Sequence, residues 1–500
     1  MNALVHLPIL PIVWPLFAGI ILLVLRRRSI ALQRIVSIGA TLALVPLVLA
    51  LMSSVADGTP LVYKLGNWDA PYGIVLVADR LAAWMLVTTA LLAVFAVLYA
   101  VRGADGAGRH FHVLFQLQLF GLNGAFLTGD LFNLFVFFEI LLLASYGLLL
   151  HGGGRARVKA GLHYVVINLV GSTLFLFAVG TLYGVVGTLN MADLAVKLAA
   201  LPPEHATLAR SAALVLFGVF ALKAALVPLH LWLPAAYANT SAPVAALFAI
   251  MTKVGAYSIL RVYSLFDAGA MADLVDAWLA PLALATLAIG SLGVIAAGGL
   301  RQQAGYLVVA SIGTLLIAFG LGSHAAIAAG LYYLPHTTFA TAALFLLADR
   351  IAVARGATGD RFESGPEMAA APLLGGLFFV VAVTLVGLPP LSGFLGKFML
   401  LRAALDSPLL PWVWAIVLAT SLVSLIALAR TGTLLFYRTL GAPADAQPPA
   451  AASVLPIAGL IALVVGLVVA AGPLADYAAQ TAADLLEPGR YVNAVLGGTR

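Results

Sequence analysis

Leu131-Phe132-Asn133-Leu134-Phe135-Val136-Phe137-Phe138-Glu139-Ile140-Leu141-Leu142-Leu143-Ala144-Ser145-Tyr146-Gly147-Leu148-Leu149-Leu150 runs for twenty residues with a single charge. At 1.5 Å per residue such a helix spans a hydrocarbon core of ~30 Å, so the segment reads as a membrane crossing with a carboxylate near its middle. Nothing in the segment neutralises Glu139, and its partner must come from another helix. The rest of the chain is built from the same material. Of its 500 residues, 63% are apolar and 9% charged, against about 25% charged in soluble domains. No water-facing surface can be made from that, which excludes soluble enzymes, disordered scaffolds and nucleic-acid readers. The absence of cysteine excludes disulfides, thiolate metal sites, iron–sulfur clusters and cysteine nucleophiles, and argues against redox chemistry on this chain.

Apolar runs of the required length predict an all-α polytopic membrane protein with fourteen spans, near 4–25, 31–52, 76–100, 111–129, 131–150, 161–187, 210–232, 241–266, 277–298, 303–321, 325–348, 371–403, 410–437 and 455–474. Met1-Asn2-Ala3-Leu4 carries no positive n-region, so the first run is expected to be a retained span. Odd-numbered connections hold most of the loop arginines, among them Arg26, Arg27, Arg28, Arg102, Arg109, Arg155, Arg157 and Arg361. Even-numbered ones hold few bases and most loop acids. The formal charge of +6 is therefore a topology signal that places the odd connections in the cytoplasm and both termini outside. No connection is long enough for a separate soluble domain.

The chain has six lysines, and Lys223, Lys253 and Lys397 fall well inside predicted spans, together with Glu139 and His336. A central Lys or Asp costs roughly 2.5 to 3.5 kcal/mol on insertion scales, so these groups must face protein, water or one another. Lys223 is the natural partner for Glu139. A static buried pair would lock two helices together, but five ionisable groups on five spans are a costly way to hold helices that small residues already pack. Because the proton affinity of a buried group depends on burial and on how near its partner lies, the set reads as a proton relay. The remaining histidines fall near span ends or in loops and are given no role.

Helix breaks accompany the lysines. Pro228 lies five residues after Lys223 in Lys223-Ala224-Ala225-Leu226-Val227-Pro228-Leu229-His230, and Lys223 and His230, seven apart, would share a face of an ideal helix. Pro389 and Pro390 precede Lys397 in Gly387-Leu388-Pro389-Pro390-Leu391-Ser392-Gly393-Phe394-Leu395-Gly396-Lys397. Two such breaks read as discontinuous helices on a midplane ion path. His336 lies in the hydroxyl-rich Tyr332-Tyr333-Leu334-Pro335-His336-Thr337-Thr338-Phe339-Ala340-Thr341, where hydroxyls and water could join it to the flanking lysines. The segment at 253–261 resembles that at 430–438, base to base with glycine two places on. With the breaks in spans 7 and 12, this suggests two five-span repeats, spans 4–8 and 9–13, which an odd span count inserts with opposite topology. The expected divisions are 1–110, 111–266, 267–438 and 439–500.

The segments 129–139, 222–234, Met251-Thr252-Lys253-Val254-Gly255-Ala256-Tyr257 and 387–397 closely resemble the antiporter-like subunits shared by respiratory complex I and the Mrp-type cation/proton antiporters. The stretch from Asp130 to Gly147 looks most like the D subunits of the Mrp group. The resemblance implies fourteen helices, inverted repeats and a hydrophilic axis in which Glu139 pairs with Lys223, and Lys253 and Lys397 continue the line. His230, Pro228, Pro389, Pro390 and Tyr257 support it. Many relatives carry a lysine in the eleventh span where this chain has Thr341, which leaves His336, one turn away, as the titratable group there. The resemblance also implies partners, the Mrp A, B, C, E, F and G subunits, in a bacterial cytoplasmic membrane.

The leading reading is a secondary transporter subunit that exchanges H⁺ for Na⁺ or K⁺, without cofactor, metal or covalent chemistry on this chain. A second reading is a proton-pumping membrane subunit of a complex I-type oxidoreductase or membrane-bound hydrogenase. A third is a proton-conducting partner of a soluble inorganic-carbon enzyme. The axis residues do not separate them; the 130–147 segment favours the first.

Overall fold

The computed structural model describes residues 6–440 and 451–497 and is almost entirely helical. After α1 (Leu10–Val24) and α2 (Ile30–Ser54), a hairpin of β1 (Leu61–Lys64) and β2 (Val75–Ala78) leads into α3 (Arg80–Ala100). The helix of the third span therefore begins four residues later than predicted. Val75-Leu76-Val77-Ala78 pairs as a strand, and Asp79 starts the helix by accepting a hydrogen bond from the Ala82 amide. Then follow α4 (Phe111–Leu127), α5 (Leu131–Leu150), α6 (Arg155–Val186), the short α7 (Met191–Ala199), α8 (Pro203–Ala224), α9 (Trp232–Asn239), α10 (Ala242–Phe248) and α11 (Met251–Phe266). The second half comprises α12 (Asp276–Ala296), α13 (Leu300–Gly320), α14 (His324–Ala354), α15 (Ala371–Val386), α16 (Ser392–Ala403) and α17 (Leu410–Gly432), which ends in a π-helical turn over Thr433–Tyr437. Last come α18 (Ala451–Val469), α19 (Ala471–Leu486) and α20 (Gly489–Leu496).

Among the described residues, twelve helices are long and apolar enough to cross a membrane, and α4 and α15 are shorter apolar helices. The predicted seventh span, 210–232, is corrected: its helix runs from Pro203 to Ala224 and stops where Ala225 adopts φ +59°. His230 thus lies beyond the end of the lysine's helix and not two turns along it. The predicted twelfth span, 371–403, divides likewise, because α15 ends at Gly387 (φ +82°) and α16 restarts at Ser392.

The segment 242–266 lies at the centre, its most apolar 18-residue window wholly buried, whereas the corresponding window of α17 is 28% buried and shows Trp412, Leu418 and Leu422 to the exterior. Close approach between α12 and α13 depends on glycine. A Cβ on Gly313 would lie 2.4 Å from the Leu287 nitrogen, and one on Gly290 would lie 2.7 Å from that of Ala310. Each half also carries one short antiparallel backbone pairing. The Leu131 amide donates to the Leu189 carbonyl and Met191 to Gly129, both 2.9 Å; the Leu300 amide donates to Asp360 at 2.9 Å and Phe362 to Gly298 at 3.1 Å.

The C-terminal helices show in the sequence only as a short tail, yet they clamp the bundle. Asp484 on α19 meets Arg80 at 2.7 Å, Tyr477 donates to the Arg80 carbonyl at 3.0 Å, and Tyr491 on α20 lies under the Arg261 guanidinium at 5.1 Å. Arg261 is itself buried and pairs with Asp79 at 2.6 Å. At the other end, Arg34 and His112 converge on the buried Asp105 at 2.6 and 3.2 Å. Burial raises this carboxyl's pKa, but the bonds from His112 and Arg34 outweigh it and hold the group at about 2.

Two outcomes follow from these pairs. Arg261→Met strands the Asp79 carboxylate and is expected to cost about 3 to 5 kcal/mol. The double variant with Asp79→Asn, which keeps the cap on α3, should recover part of that loss in thermal unfolding; a double variant less stable than Arg261→Met alone would contradict the pairing. Asp105, with its folded pKa below the unfolded value of about 3.9, stabilises above that value and loses its contribution as pH falls toward about 2. Asp105→Asn should therefore lower the unfolding temperature at neutral pH and converge with the parent protein in acid.

Candidate functional site

Glu139 lies midway along α5, whose first turn is capped when the Asp130 carboxylate accepts from the Asn133 amide at 2.8 Å. The helix faces α6, and it is α6 that receives the carboxylate. Ser172 donates to Glu139 Oε1, while one turn earlier on the same helix Asn168 Oδ1 accepts from Lys223 Nζ at 3.0 Å. Glu139 and Lys223 therefore do not form the direct ion pair expected from the sequence. Polar side chains at i and i+4 of α6 stand in contact with one member each, and the two charged groups still act on each other through space. Gly171, between those side chains, lets α8 approach: a Cβ there would lie 2.5 Å from Leu222 and 3.9 Å from Lys223 Nζ. Phe138 completes the setting, its ring 5.9 Å below the ammonium group.

Lys223 is the next-to-last residue of α8, and the chain beyond it is unwound from Ala225 to Leu231. The freed backbone is satisfied by neighbours, as membrane burial requires. The Trp232 indole donates to the Leu222 carbonyl at 3.2 Å, and the Val227 amide donates to Thr286 at 2.9 Å. His230 sits in this unwound stretch, buried, with Nδ1 unpartnered. Gly255 brings α11 against the break, since a Cβ there would lie 2.4 Å from the Ala224 nitrogen. That contact sets Lys253, two residues earlier, beside the end of α8. Lys253 is fully buried and its Nζ has no hydrogen-bond partner among the described residues. One turn on, Tyr257 donates to the Phe126 carbonyl at 2.7 Å.

The second break repeats the arrangement with the lysine after it. Lys397 on α16 reaches back to the Val386 carbonyl, the last residue of α15, at 2.8 Å, and donates to Ser421 on α17 at 2.9 Å. His336, buried in α14, shares a hydrogen bond at 2.9 Å between Nδ1 and Ser392 Oγ. The break folds onto its ring: a Cβ on Gly393 would stand 2.9 Å from His336 Cε1. Thr338 donates to the Leu334 carbonyl and Thr341 to that of Thr337, each back along α14.

Ser172, Asn168, Ser392 and Ser421 are thus the polar side chains in immediate contact with Glu139, Lys223, His336 and Lys397 respectively. Those four escape the sequence reading. Asn168 and Ser172 are detectable as a polar i, i+4 pair in an apolar helix; Ser421 carries no signal distinguishing it from other serines. Among the described residues, no group of three or more His, Asp or Glu side chains has the arrangement of a metal site.

A family model described as NADH:quinone oxidoreductase/Mrp antiporter, TM, matches residues 128–426. The chain is 44% identical to the D subunit of a probable K(+)/H(+) antiporter from Rhizobium meliloti, covering 99% of this chain and 98% of that one. It is 37% identical to the D subunit of the Na(+)/H(+) antiporter from Alkalihalophilus pseudofirmus, covering 98% and 99%. A chain in the Mrp complex structure from Dietzia matches with a TM-score of 0.88 and 30% identity, covering 99% of this chain and 100% of that one. Respiratory complex I from Thermus thermophilus contains a chain of the same fold, with a TM-score of 0.81 at 24% identity, covering 96% and 99%.

An uncommitted buried amine is a liability to stability. Lys253→Met, which replaces it with an apolar side chain of similar length, is expected to raise the thermal unfolding midpoint. Asn168→Leu should lower it, through a loss of stability of about 1 to 3 kcal/mol, because it orphans the Lys223 ammonium. The opposite pair of shifts would show that Lys253 has a partner and Lys223 does not need one.

Proposed function

The chain belongs to the NADH:quinone oxidoreductase/Mrp antiporter family, and from that premise we propose that it is the proton-translocating subunit of a multisubunit monovalent cation/proton antiporter. It exchanges H⁺ for Na⁺ or K⁺ in a bacterial cytoplasmic membrane, alongside Mrp A, B, C, E, F and G subunits. The two antiporter D subunits match it nearly end to end at 44% and 37% identity, and the solved Mrp complex supplies the multisubunit setting. The respiratory complex I chain shares the fold at lower identity, so antiport is preferred to a redox-driven pump.

The proton path is supported by five ionisable groups inside membrane-spanning helices, on α5, α8, α11, α14 and α16, each linked to hydroxyl, amide or carbonyl groups except Lys253. Because α6 holds both Glu139 and Lys223, a shift of that helix alters the surroundings of acid and base together and couples their proton occupancy. His336, in contact with Ser392 of the second break, joins Lys253 to Lys397. Tyr257 and Thr341 pack on this line as supporting residues, and Pro228, Pro389 and Pro390 keep the breaks open.

In this reading α4 and the broken α15–α16 also cross the membrane, which adds two spans to the twelve long helices. The two short backbone pairings support inverted repeats. In each half the residue before the second helix pairs with the loop after the third, at 129–131 with 189–191 and at 298–300 with 360–362. Five spans separate the two, which puts them on opposite faces of the membrane. The divisions at 110, 266 and 438 follow, with the odd connections cytoplasmic and both termini outside.

The reading is tested by expressing the chain with its companion subunits in an antiporter-deficient bacterium and following a ΔpH-sensitive dye in energised everted vesicles as Na⁺, then K⁺, is added. Cation-dependent dequenching is expected, abolished by Glu139→Ala or Lys223→Ala with assembly intact and reduced by His336→Ala. Full activity in either of the first two variants would overturn the relay.

A further inference from the structure

We propose that the cavity between the α1–α2 and α3–α4 turns is a binding site for the phosphate headgroup of an anionic phospholipid. The site is independent of the ion path and of the antiport reading. The cavity measures about 580 Å³ and is lined by Arg26, Arg27, Ile30, Gln33, Arg109 and His110. It opens where α1 and α3 end and α2 and α4 begin, at residues 24, 100, 30 and 111, which is the headgroup level of a membrane these helices cross.

Its charge is unbalanced. Arg26, Arg27 and Arg109 are exposed, and none makes an ion pair among the described residues. The one carboxylate in the wall, Asp105, is already engaged by Arg34 and His112 at 2.6 and 3.2 Å and has nothing left to offer the other three. Guanidinium groups match phosphate oxygens in pairs, so three uncommitted ones around a polar cavity select a phosphate ester. A basic pocket between helices at the cytoplasmic boundary is the setting in which anionic headgroups are held.

The surface leading away from the cavity separates a lipid from a free phosphate. Phe17, Ile21 and Val24 recur at helical spacing on α1, each at least half exposed, and Val24, two residues before Arg26, is 77% exposed. With Ile35 on α2 also outward at 68%, they offer acyl chains an apolar track that starts at the headgroup site. Topology signalling alone would put bases in this connection without forming a cavity around them or leaving an apolar ladder beside it.

The test uses the intact multisubunit complex in neutral detergent, titrated with phosphatidylglycerol or phosphatidylcholine in mixed micelles while thermal unfolding and lipid retention by native mass spectrometry are followed. Phosphatidylglycerol is expected to be retained and to raise the unfolding midpoint, and the triple variant Arg26→Gln/Arg27→Gln/Arg109→Gln should lose roughly tenfold or more in its affinity. Equal retention by parent and variant would overturn the site, and reproduction of the shift by inorganic phosphate alone would overturn the lipid assignment. Should the variant fail to assemble, a photoactivatable phosphatidylglycerol on the unmodified complex gives a second readout. Crosslinks at 26–33 and 105–112 are expected, and their absence there would contradict the proposal.

Discussion

Holding an ammonium group in hydrocarbon costs roughly 2.5 to 3.5 kcal/mol even on the lenient insertion scales, and that cost governs where the helices of this chain can lie. Lys223, Lys253 and His336 are buried and Lys397 is half-buried, and none of them can face lipid unpaired, so the helices that carry them are drawn inward. The segment 242–266, which bears Lys253, is the most deeply enclosed. α17, whose inward polar side-chain contacts are Ser421 with Lys397 and Thr431 with Gln303, is left at the rim. Burial here follows the ionisable groups, because apolar side chains gain little from leaving lipid for a protein interior.

Two devices let the helices meet this constraint. One is the unwound stretch beside each lysine, which exposes carbonyls and creates room for polar partners. Lys397 uses the carbonyl at the end of α15 directly, and the ring of His336 rests on the same break. The other is glycine at close crossings, where Gly171, Gly255 and Gly393 let a neighbouring backbone or polar group come within contact of the charged side chain. Lys253 alone receives neither carbonyl nor hydroxyl. A buried amine left uncommitted costs stability, and under the proposed relay its retention makes sense where a proton must arrive and leave.

Much of this is legible in the sequence, for a physical reason. Membrane spans announce themselves by length and apolarity, and charges within them are too expensive to be incidental, so Glu139, Lys223, Lys253, His336 and Lys397 stand out. What stays hidden depends on through-space contact. The predicted third span starts in Val75-Leu76-Val77-Ala78, since a buried apolar strand and a helix turn share the same composition. The predicted seventh span continues through Ala225 because alanine gives no sign of a positive φ, and it carries His230 onto a helix that has already ended. Opposite charge alone makes Glu139 and Lys223 direct partners, and cannot see Asn168 and Ser172 between them. The grip of α19 and α20 on Arg80 and Arg261 joins residues hundreds of positions apart, which no local pattern reports.

In the proposed relay Lys253 gains and loses a proton during turnover. Arginine keeps a positive charge at every accessible pH and cannot deprotonate in a protein, so Lys253→Arg preserves charge while removing the titration. The decisive measurement is cation-driven proton movement in proteoliposomes containing the intact complex, with the parent and Lys253→Arg compared at matched assembly. Loss of transport in the variant, with subunit content unchanged, is the predicted result. Transport at the parent rate would show that a fixed charge suffices at this position, and that the proton passes by another route.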